Sequence, residues 1–376
     1  MSDERALRVA EAARSVGADW ALLTSADAVC YATQHTGIIE WGVSPFAGGP
    51  SLAFVSADGS VVALLVNNIE EAGARRAGAG RVLTYVGLAL GERSPVADRY
   101  RAAVRNVLDE LGVGGVVAVE AATLSAIVAE ELAARGVTAV TIDTELDRVR
   151  STKTAVEIER LRFAAEVVDA GQKAVLAAAR PGRTELEIWA DVRLAMEEVA
   201  GERVPVAGDL TSGVANTAAI SGWPTGRVVQ EGDPVLCDLG PRVNGYWGDS
   251  CNTLFIGGEP SAAFMKLYTT TQRSVEVILE TLRPGIKAAD FDRKVRSVFE
   301  DAGVNNPLHI GHGIGTGVHE WPRIVPDQDV TIQEGMVLMC EPGAYDPAVG
   351  GVRLEWMYLV TANGNEVLSG FPHTLR

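Results

Sequence analysis

Acidic residues that interrupt apolar strands are the first chemical signal in this 376-residue chain. In Pro234-Val-Leu-Cys-Asp238-Leu-Gly a carboxylate breaks a strand-like run, and Asp249 follows inside the run Tyr246 to Ile256. A buried carboxylate is costly unless it is paired or bound to a metal. The loop Arg242 to Gly245, with Asn244-Gly245 as turn signal, reverses the chain between the two acids. Antiparallel pairing through any even loop puts both on one face, and a four-residue loop sets them directly opposite. Two like charges that close need something positive between them, an arginine or a metal ion.

Three more residues extend the pattern. Glu341 ends the apolar run Met336-Val-Leu-Met-Cys, and Glu355 stands in Val352-Arg-Leu-Glu-Trp, where alternation puts Arg353 and Glu355 on one face. His312 lies in Gly311-His-Gly-Ile-Gly-Thr-Gly, where glycines let backbone crowd a site. That run lacks the lysine and helix start of a phosphate loop. Each residue alone is more often structural than catalytic. Together, four carboxylates balance two dications, as expected of a hydrolase with ions roughly 3.5–4 Å apart.

The elements that must hold these residues divide into two parts. Strand-like runs at Trp20 to Thr24, Arg81 to Val86, Val116 to Val119 and Val137 to Ile142 alternate with helical patterns. A hairpin pattern spans Leu52 to Val66 with Ala57-Asp58-Gly59 as its turn, and a helix follows, capped near Asn67 or Asn68. This alternation predicts an α/β domain with an open sheet over 1–148. The polar stretch Thr144 to Thr154 marks the boundary with a second domain, 149–376. There, helices from about Ala155 to Ala179 and Glu185 to Val199 flank Arg180-Pro-Gly. Helix, Arg283-Pro-Gly, helix repeats that order about a hundred residues on, which predicts a duplicated α+β half about a pseudo-twofold axis.

In this order the motifs resemble the pita-bread metallohydrolase family of aminopeptidase P, prolidase, methionine aminopeptidase and creatinase. The matching text is Asp238-Leu-Gly…Gly-Tyr-Trp-Gly-Asp249, Gly-His312-Gly-Ile-Gly…His319-Glu-Trp-Pro, Glu341-Pro-Gly and Gly-Gly-Val-Arg353-Leu-Glu355. The segment Gly17-Ala-Asp-Trp-Ala-Leu-Leu-Thr-Ser…Tyr31-Ala-Thr looks like the N-terminal domain of creatinase and prolidase. The resemblance implies an α+β chain with a C-terminal pita-bread domain and an N-terminal creatinase-like domain. It implies metal ligands at Asp238, Asp249, His312, Glu341 and Glu355, with Asp249 and Glu355 bridging. A water between the ions would be the nucleophile and Glu341 the general base. His319 would contact the scissile carbonyl, with Arg353 as its neighbour. Oxygen-rich ligation favours manganese, with cobalt, iron or zinc as alternatives.

The chain departs from the family at its substrate positions. A histidine 17 residues before the first Asp is Ser221 here, and one four residues before the ligand histidine is Leu308. His309 is one place off and in an extended strand faces the other way. The Thr two after the second Asp is Cys251, and the acid after the last Glu is Trp356. Trp223, Trp247, Trp321 and Trp356 lie beside the motifs, so an aromatic, narrower pocket is one reading and ordinary core packing the other. Trp41 either reaches a partner's site across a homodimer or packs locally.

Composition narrows the partners. The chain carries 33 basic and 49 acidic residues, a net charge of −16, and its pI is near 4.8. Such a chain repels nucleic acid and anionic membranes, and no dense basic patch is evident in the sequence. No apolar run approaches the roughly 20 residues of a membrane span. Four scattered cysteines fit a reducing, cytoplasmic setting. The expected partner is a small molecule or short peptide. The expected activity is Xaa-Pro peptide hydrolysis, with a non-peptide C–N hydrolase and a binding protein with a relic metal site as alternatives.

Overall fold

The computed structural model describes residues 3–37, 47–78, 80–88, 95–305 and 308–376. They form two compact units, Met1–Arg150 and Ser151–Arg376. Trp41 falls outside the described residues.

The first unit opens with α1 (Glu4–Ser15), β1 (Trp20–Leu23), α2 (Ala26–Thr33), β2 (Leu52–Ser56) and β3 (Val62–Asn67). It continues with α3 (Glu71–Ala77), β4 (Arg81–Tyr85), α4 (Val96–Leu111), β5 (Val116–Val119), α5 (Ala126–Ala134), β6 (Thr138–Thr141) and α6 (Asp143–Ser151). The strands make one mixed sheet in the order β4-β3-β2-β1-β5-β6. Successive side chains of a strand alternate between the faces of a sheet. Ala21, Leu23, Ala53 and Val55 join one apolar cluster, while Leu22, Leu52 and Phe54 join the other. Both faces are therefore covered, which is why these strands read as continuous apolar runs. Two details differ from the sequence reading. Asn67 closes a turn with Glu70 instead of capping α3, which starts at Glu71. The polar stretch around 144–151 is helical, as α6.

The second unit begins with α7 (Ala155–Ala178), α8 (Glu185–Ala200), β7 (Val206–Ser212), α9 (Val214–Thr217), β8 (Asp233–Val243), β9 (Tyr246–Trp247) and β10 (Ser250–Ile256). Then follow α10 (Ala262–Thr281), α11 (Ala288–Ala302), β11 (Gly311–Gly313), β12 (Glu320–Ile324), β13 (Val337–Cys340), β14 (Gly343–Asp346), β15 (Gly350–Arg353), β16 (Trp356–Thr361) and β17 (Gly364–Val367). One sheet runs β10-β8-β7, another β12-β11-β13-β16-β17, and β14 pairs β15. Helices α7 and α8 start with full capping boxes, Thr154 with Glu157 and Thr184 with Glu187.

The repeat glimpsed at the two Pro-Gly stops is structural and keeps one offset of 103 residues. Gly182 donates to Val229 O and Gly285 to Ile332 O. Their φ angles are +90° and +88°. The bridge Thr184–Val228 recurs as Lys287–Thr331. Gly232 and Gly335, at φ +85° and +84°, each open the strand that follows. The same offset sets Cys237 beside Cys340 and Asp238 beside Glu341. Equivalent strands in the two halves thus deliver one acid each.

Candidate metal centre and active site

The hairpin between β8 and β9 turns on Asn244 and Gly245, both at positive φ (+51° and +83°), the backbone that a two-residue turn of matching twist requires. The loop therefore has two residues, not the four that would set Asp238 directly opposite Asp249. Asp238 pairs with Cys251. Continuing the ladder through Arg242–Trp247 sets Asp249 across from Gly240, so the two acids are diagonal neighbours on one face. Behind them, Gln172 on α7 donates to the carbonyls of Cys237 (3.2 Å) and Ser250 (3.0 Å), fixing both strands.

The other half supplies the remaining groups. The Glu341 amide donates to Ile310 O at 2.8 Å and the Glu355 amide to Cys251 O at 2.9 Å. Thr253 exchanges hydrogen bonds with the Arg353 backbone, both at 3.0 Å. A Cβ on Gly313 would come within 2.5 Å of Trp321 O, so backbone packing there requires glycine. The His312 Nδ1 donates to its neighbour's carbonyl, Gly313 O, at 2.8 Å. A carbonyl only accepts, so Nδ1 carries a proton, and Nε2 is the nitrogen that faces the acids. It lies 3.2 Å from Glu341 Oε1 and 3.7 Å from Asp249 Oδ2.

Ligand atoms of Asp249, His312 and Glu355 lie within 4.8 Å of one another, all three residues buried. Asp238 adjoins Asp249, and Glu341 adjoins His312. The electrostatics of this cluster are strained. Burial, then the neighbouring carboxylates, pushes Asp249 and Glu355 far above the usual range. Burial also raises Asp238, to about 6, against the pull of Arg353. Glu341 differs: burial would raise it, but hydrogen bonds from His309 and His312 outweigh that and hold it well below an ordinary glutamate. Glu355 Oε2 is buried with no hydrogen-bond partner. An orphaned carboxylate oxygen among crowded acids, with an imidazole nitrogen aimed at them, fits divalent cations.

Arg353 meets the acids of the cluster. Its Nη1 lies 2.8 Å from Asp238 Oδ2 and 3.7 Å from Glu341 Oε2. Its Nη2 donates to Ile220 O at 2.5 Å and lies 3.7 Å from Asp209. Burial would discharge the guanidinium, but the anionic surroundings keep it charged. No hydrogen bond joins Arg353 to His319 among the described residues. His319 instead packs edge-on against His312, ring centroids 4.5 Å apart. Burial, then His312, lowers its pKa, so it is neutral at pH 7.

His309 corrects the expectation drawn from strand alternation. It precedes β11, so alternation does not govern it, and its Nε2 reaches Glu341 Oε1 at 3.1 Å. Leu308, at the usual histidine position, points into solvent and is 66% exposed. Ser221 is exposed and donates to Asp209 Oδ1 at 3.0 Å. The tryptophans do not gather into one wall. Trp321 and Trp356 pack against the second unit's apolar clusters, and Trp356 stacks on His373 at 4.0 Å. Trp247 packs against another cluster with Arg242 over its ring. Only Trp223 stands free, 77% exposed. The sequence reading missed Asp209, Tyr345 and His373. Asp209 lies in Gly-Asp-Leu-Thr-Ser, which carries no strand signal strong enough to mark a half-buried acid.

Comparison with known proteins agrees with this geometry. The model of Metallopeptidase family M24 matches residues 159–362, and that of the Creatinase/Prolidase N-terminal domain matches residues 5–152. The Xaa-Pro dipeptidase of Pyrococcus furiosus is 31% identical over 230 residues, 61% of this chain and 66% of the relative. The probable dipeptidase PepE of Mycobacterium bovis is 35% identical over 245 residues, 64% of each chain. Both alignments thus span slightly under two thirds of the relative's length. The crystal structure of the prolidase from Pyrococcus horikoshii superposes with a TM-score of 0.81 over the whole of both chains, at 25% identity. The N-terminal creatinase-like domain and the C-terminal pita-bread domain expected from the motifs are thus the architecture found. Matched over more than half its length, and with acids and a histidine gathered where its motifs require, the chain belongs to Metallopeptidase family M24.

Proposed function

We propose that this protein hydrolyses the C–N bond of a short peptide of Xaa-Pro type with divalent cations held by Asp238, Asp249, His312, Glu341 and Glu355. The observation that carries this reading is the buried Asp249–His312–Glu355 triangle with its orphaned Glu355 oxygen. Manganese suits the oxygen-rich set, and two such ions would supply Lewis acidity and lower the pKa of water. Glu341, kept ionised by two imidazoles, is the general base that takes the proton of the attacking water and hands it to the leaving amine. His319, neutral and beside His312, donates to the substrate carbonyl as charge develops on it. Arg353 holds Asp238 in place and remains charged. His309 joins the site through Glu341.

A non-peptide C–N hydrolase is the second reading. Ser221 favours it, because its hydroxyl is engaged by Asp209 where the family's resemblance places a substrate histidine. Hydrolysis of Xaa-Pro dipeptides, Xaa-Pro-Xaa tripeptides and small cyclic or guanidino amides by manganese-loaded protein separates the two. Release of proline, lowered by about 10²–10⁴ in Glu341→Gln, is the expected result. Cleavage of the small amides alone would move the assignment to the second reading. The same proposal carries a homodimer in the cytoplasm, which light scattering of the purified protein tests for assembly.

A further inference from the structure

Asp209 is an acid that the metal centre does not use. It sits on β7 directly opposite Asp238 on β8, so the two side chains share one face. Like charges placed that way repel, and the Arg353 guanidinium is set against both. The other Asp209 oxygen, Oδ1, accepts from Ser221 Oγ at 3.0 Å and from the Gly222 amide at 3.1 Å. Gly222 O in turn accepts from the Leu210 amide at 3.2 Å. Two residues before Gly222, Ile220 O accepts from Arg353 Nη2 at 2.5 Å.

Ile220 has φ +75°. A β-branched residue in the left-handed region is held there only when its surroundings over-determine it. The surroundings are Arg353 on one side and Asp209 on the other. The circuit closes: Asp209 to Ser221 and Gly222, Ile220 to Arg353, and Arg353 back toward Asp209. Three residues after Ile220 stands Trp223, largely exposed.

We propose that Asp209 is a positioning residue that fastens the Ile220–Trp223 segment to Arg353 and so sets how this enzyme binds substrate. The inference rests on the hydrolase reading above for its kinetic arm. Ser221 spends its hydroxyl on Asp209, so that hydroxyl is engaged within the segment. Asp209 acts through hydrogen bonds accepted by one oxygen; Asp209→Asn keeps that acceptor, and Asp209→Ala removes it.

Hydrogen–deuterium exchange of the metal-loaded full chain gives a readout that needs no substrate. Peptides covering residues 219–226 should exchange at least about tenfold faster in Asp209→Ala and within about threefold of wild type in Asp209→Asn, with peptides of α7 and α8 unchanged. Equal exchange in wild type and Asp209→Ala would overturn the proposal. With Ala-Pro as probe, Asp209→Ala should raise KM about tenfold and leave kcat within about threefold, while Asp209→Asn holds KM. A fall in kcat at constant KM would show that Asp209 serves Arg353 alone and would also overturn it. A wild-type enzyme inert toward Ala-Pro would sink the peptidase reading, and the exchange experiment would still decide the role of Asp209.

Discussion

At the residue scale, His309 shows how far one position can shift the reading of a site. Its imidazole meets Glu341 at 3.1 Å, beside that of His312. Hydrogen bonds to charged groups contribute about 1.5–3 kcal/mol, so His309→Ala should lower kcat/KM on the order of tenfold to a hundredfold. Leu308→Ala, at an exposed neighbour, should leave it unchanged. Equal rates for wild type and His309→Ala would leave the contact without catalytic meaning. The metal-type acids were legible because four carboxylates and an imidazole at the ends of apolar runs are together hard to explain as structure alone. His309 was not legible, because alternation assumes a strand and the backbone before Gly311 is not one. Asp209 and Tyr345 were missed for another reason. Each is polar in a segment that already looked polar or glycine-rich, and only the fold brings it to Arg353.

At the element scale, the loop between β11 and β12 is held by a buried ion pair. Lys153 Nζ meets Glu320 Oε2 at 2.8 Å with both side chains at 5% exposure or less, and Glu320 Oε1 accepts from the Gly317 amide at 2.9 Å. Glu320 follows His319, so the pair fixes the backbone from which His319 projects. Removing one partner of a buried pair costs about 3–5 kcal/mol. Lys153→Met should therefore lower the unfolding midpoint of the second unit, and Lys153→Met with Glu320→Gln should recover part of the loss. No recovery in the double variant would mean that the lysine acts elsewhere. In the first unit, Glu131 on α5 accepts from Arg105 at 3.0 Å and Arg101 at 3.3 Å on α4. The Arg105 hydrogen bond, against the cost of burial and with help from Arg101, holds its carboxyl below the usual range. Such a depressed group stabilises the fold above the unfolded carboxylate pKa, about 4.3, and loses that contribution as pH falls through its folded value. Glu131→Gln should thus lower the urea midpoint at pH 7 and differ less from wild type at pH 4. A gap that stays constant or widens at pH 4 would discard the ion-pair account. Most elements could be read from pattern, since apolar runs and Pro-Gly stops are local. The length of the Asn244-Gly245 turn could not, because both loop lengths keep the acids on one face.

At the scale of the whole catalytic unit, the 103-residue offset explains why the ligands arrive as they do. One half brings Asp238 and Asp249, the other His312, Glu341 and Glu355, and the offset itself relates Asp238 to Glu341. The sequence showed this repeat at the Pro-Gly stops; its extension to the acids emerges only once the paired turns and bridges share one spacing. Cations in this centre would join strands more than a hundred residues apart, and a ligand that binds only the folded chain stabilises it. At a concentration about a hundred times Kd the gain is about 2.7 kcal/mol, which for a unit of this size raises Tm by about 5–10 °C. Differential scanning calorimetry of the full chain with manganese and with EDTA measures it. The transition of the second unit should rise with the ion, and the rise should shrink as pH falls, because protons compete for the same carboxylates. Glu355→Gln removes the orphaned oxygen's charge at the centre of the triangle. In that variant the manganese-dependent rise should disappear while the EDTA scan stays level with or above wild type, because one crowded charge is gone. A rise that survives Glu355→Gln would place the stabilising ion outside the Asp249–His312–Glu355 triangle and detach the fold's two halves from the chemistry they are proposed to share.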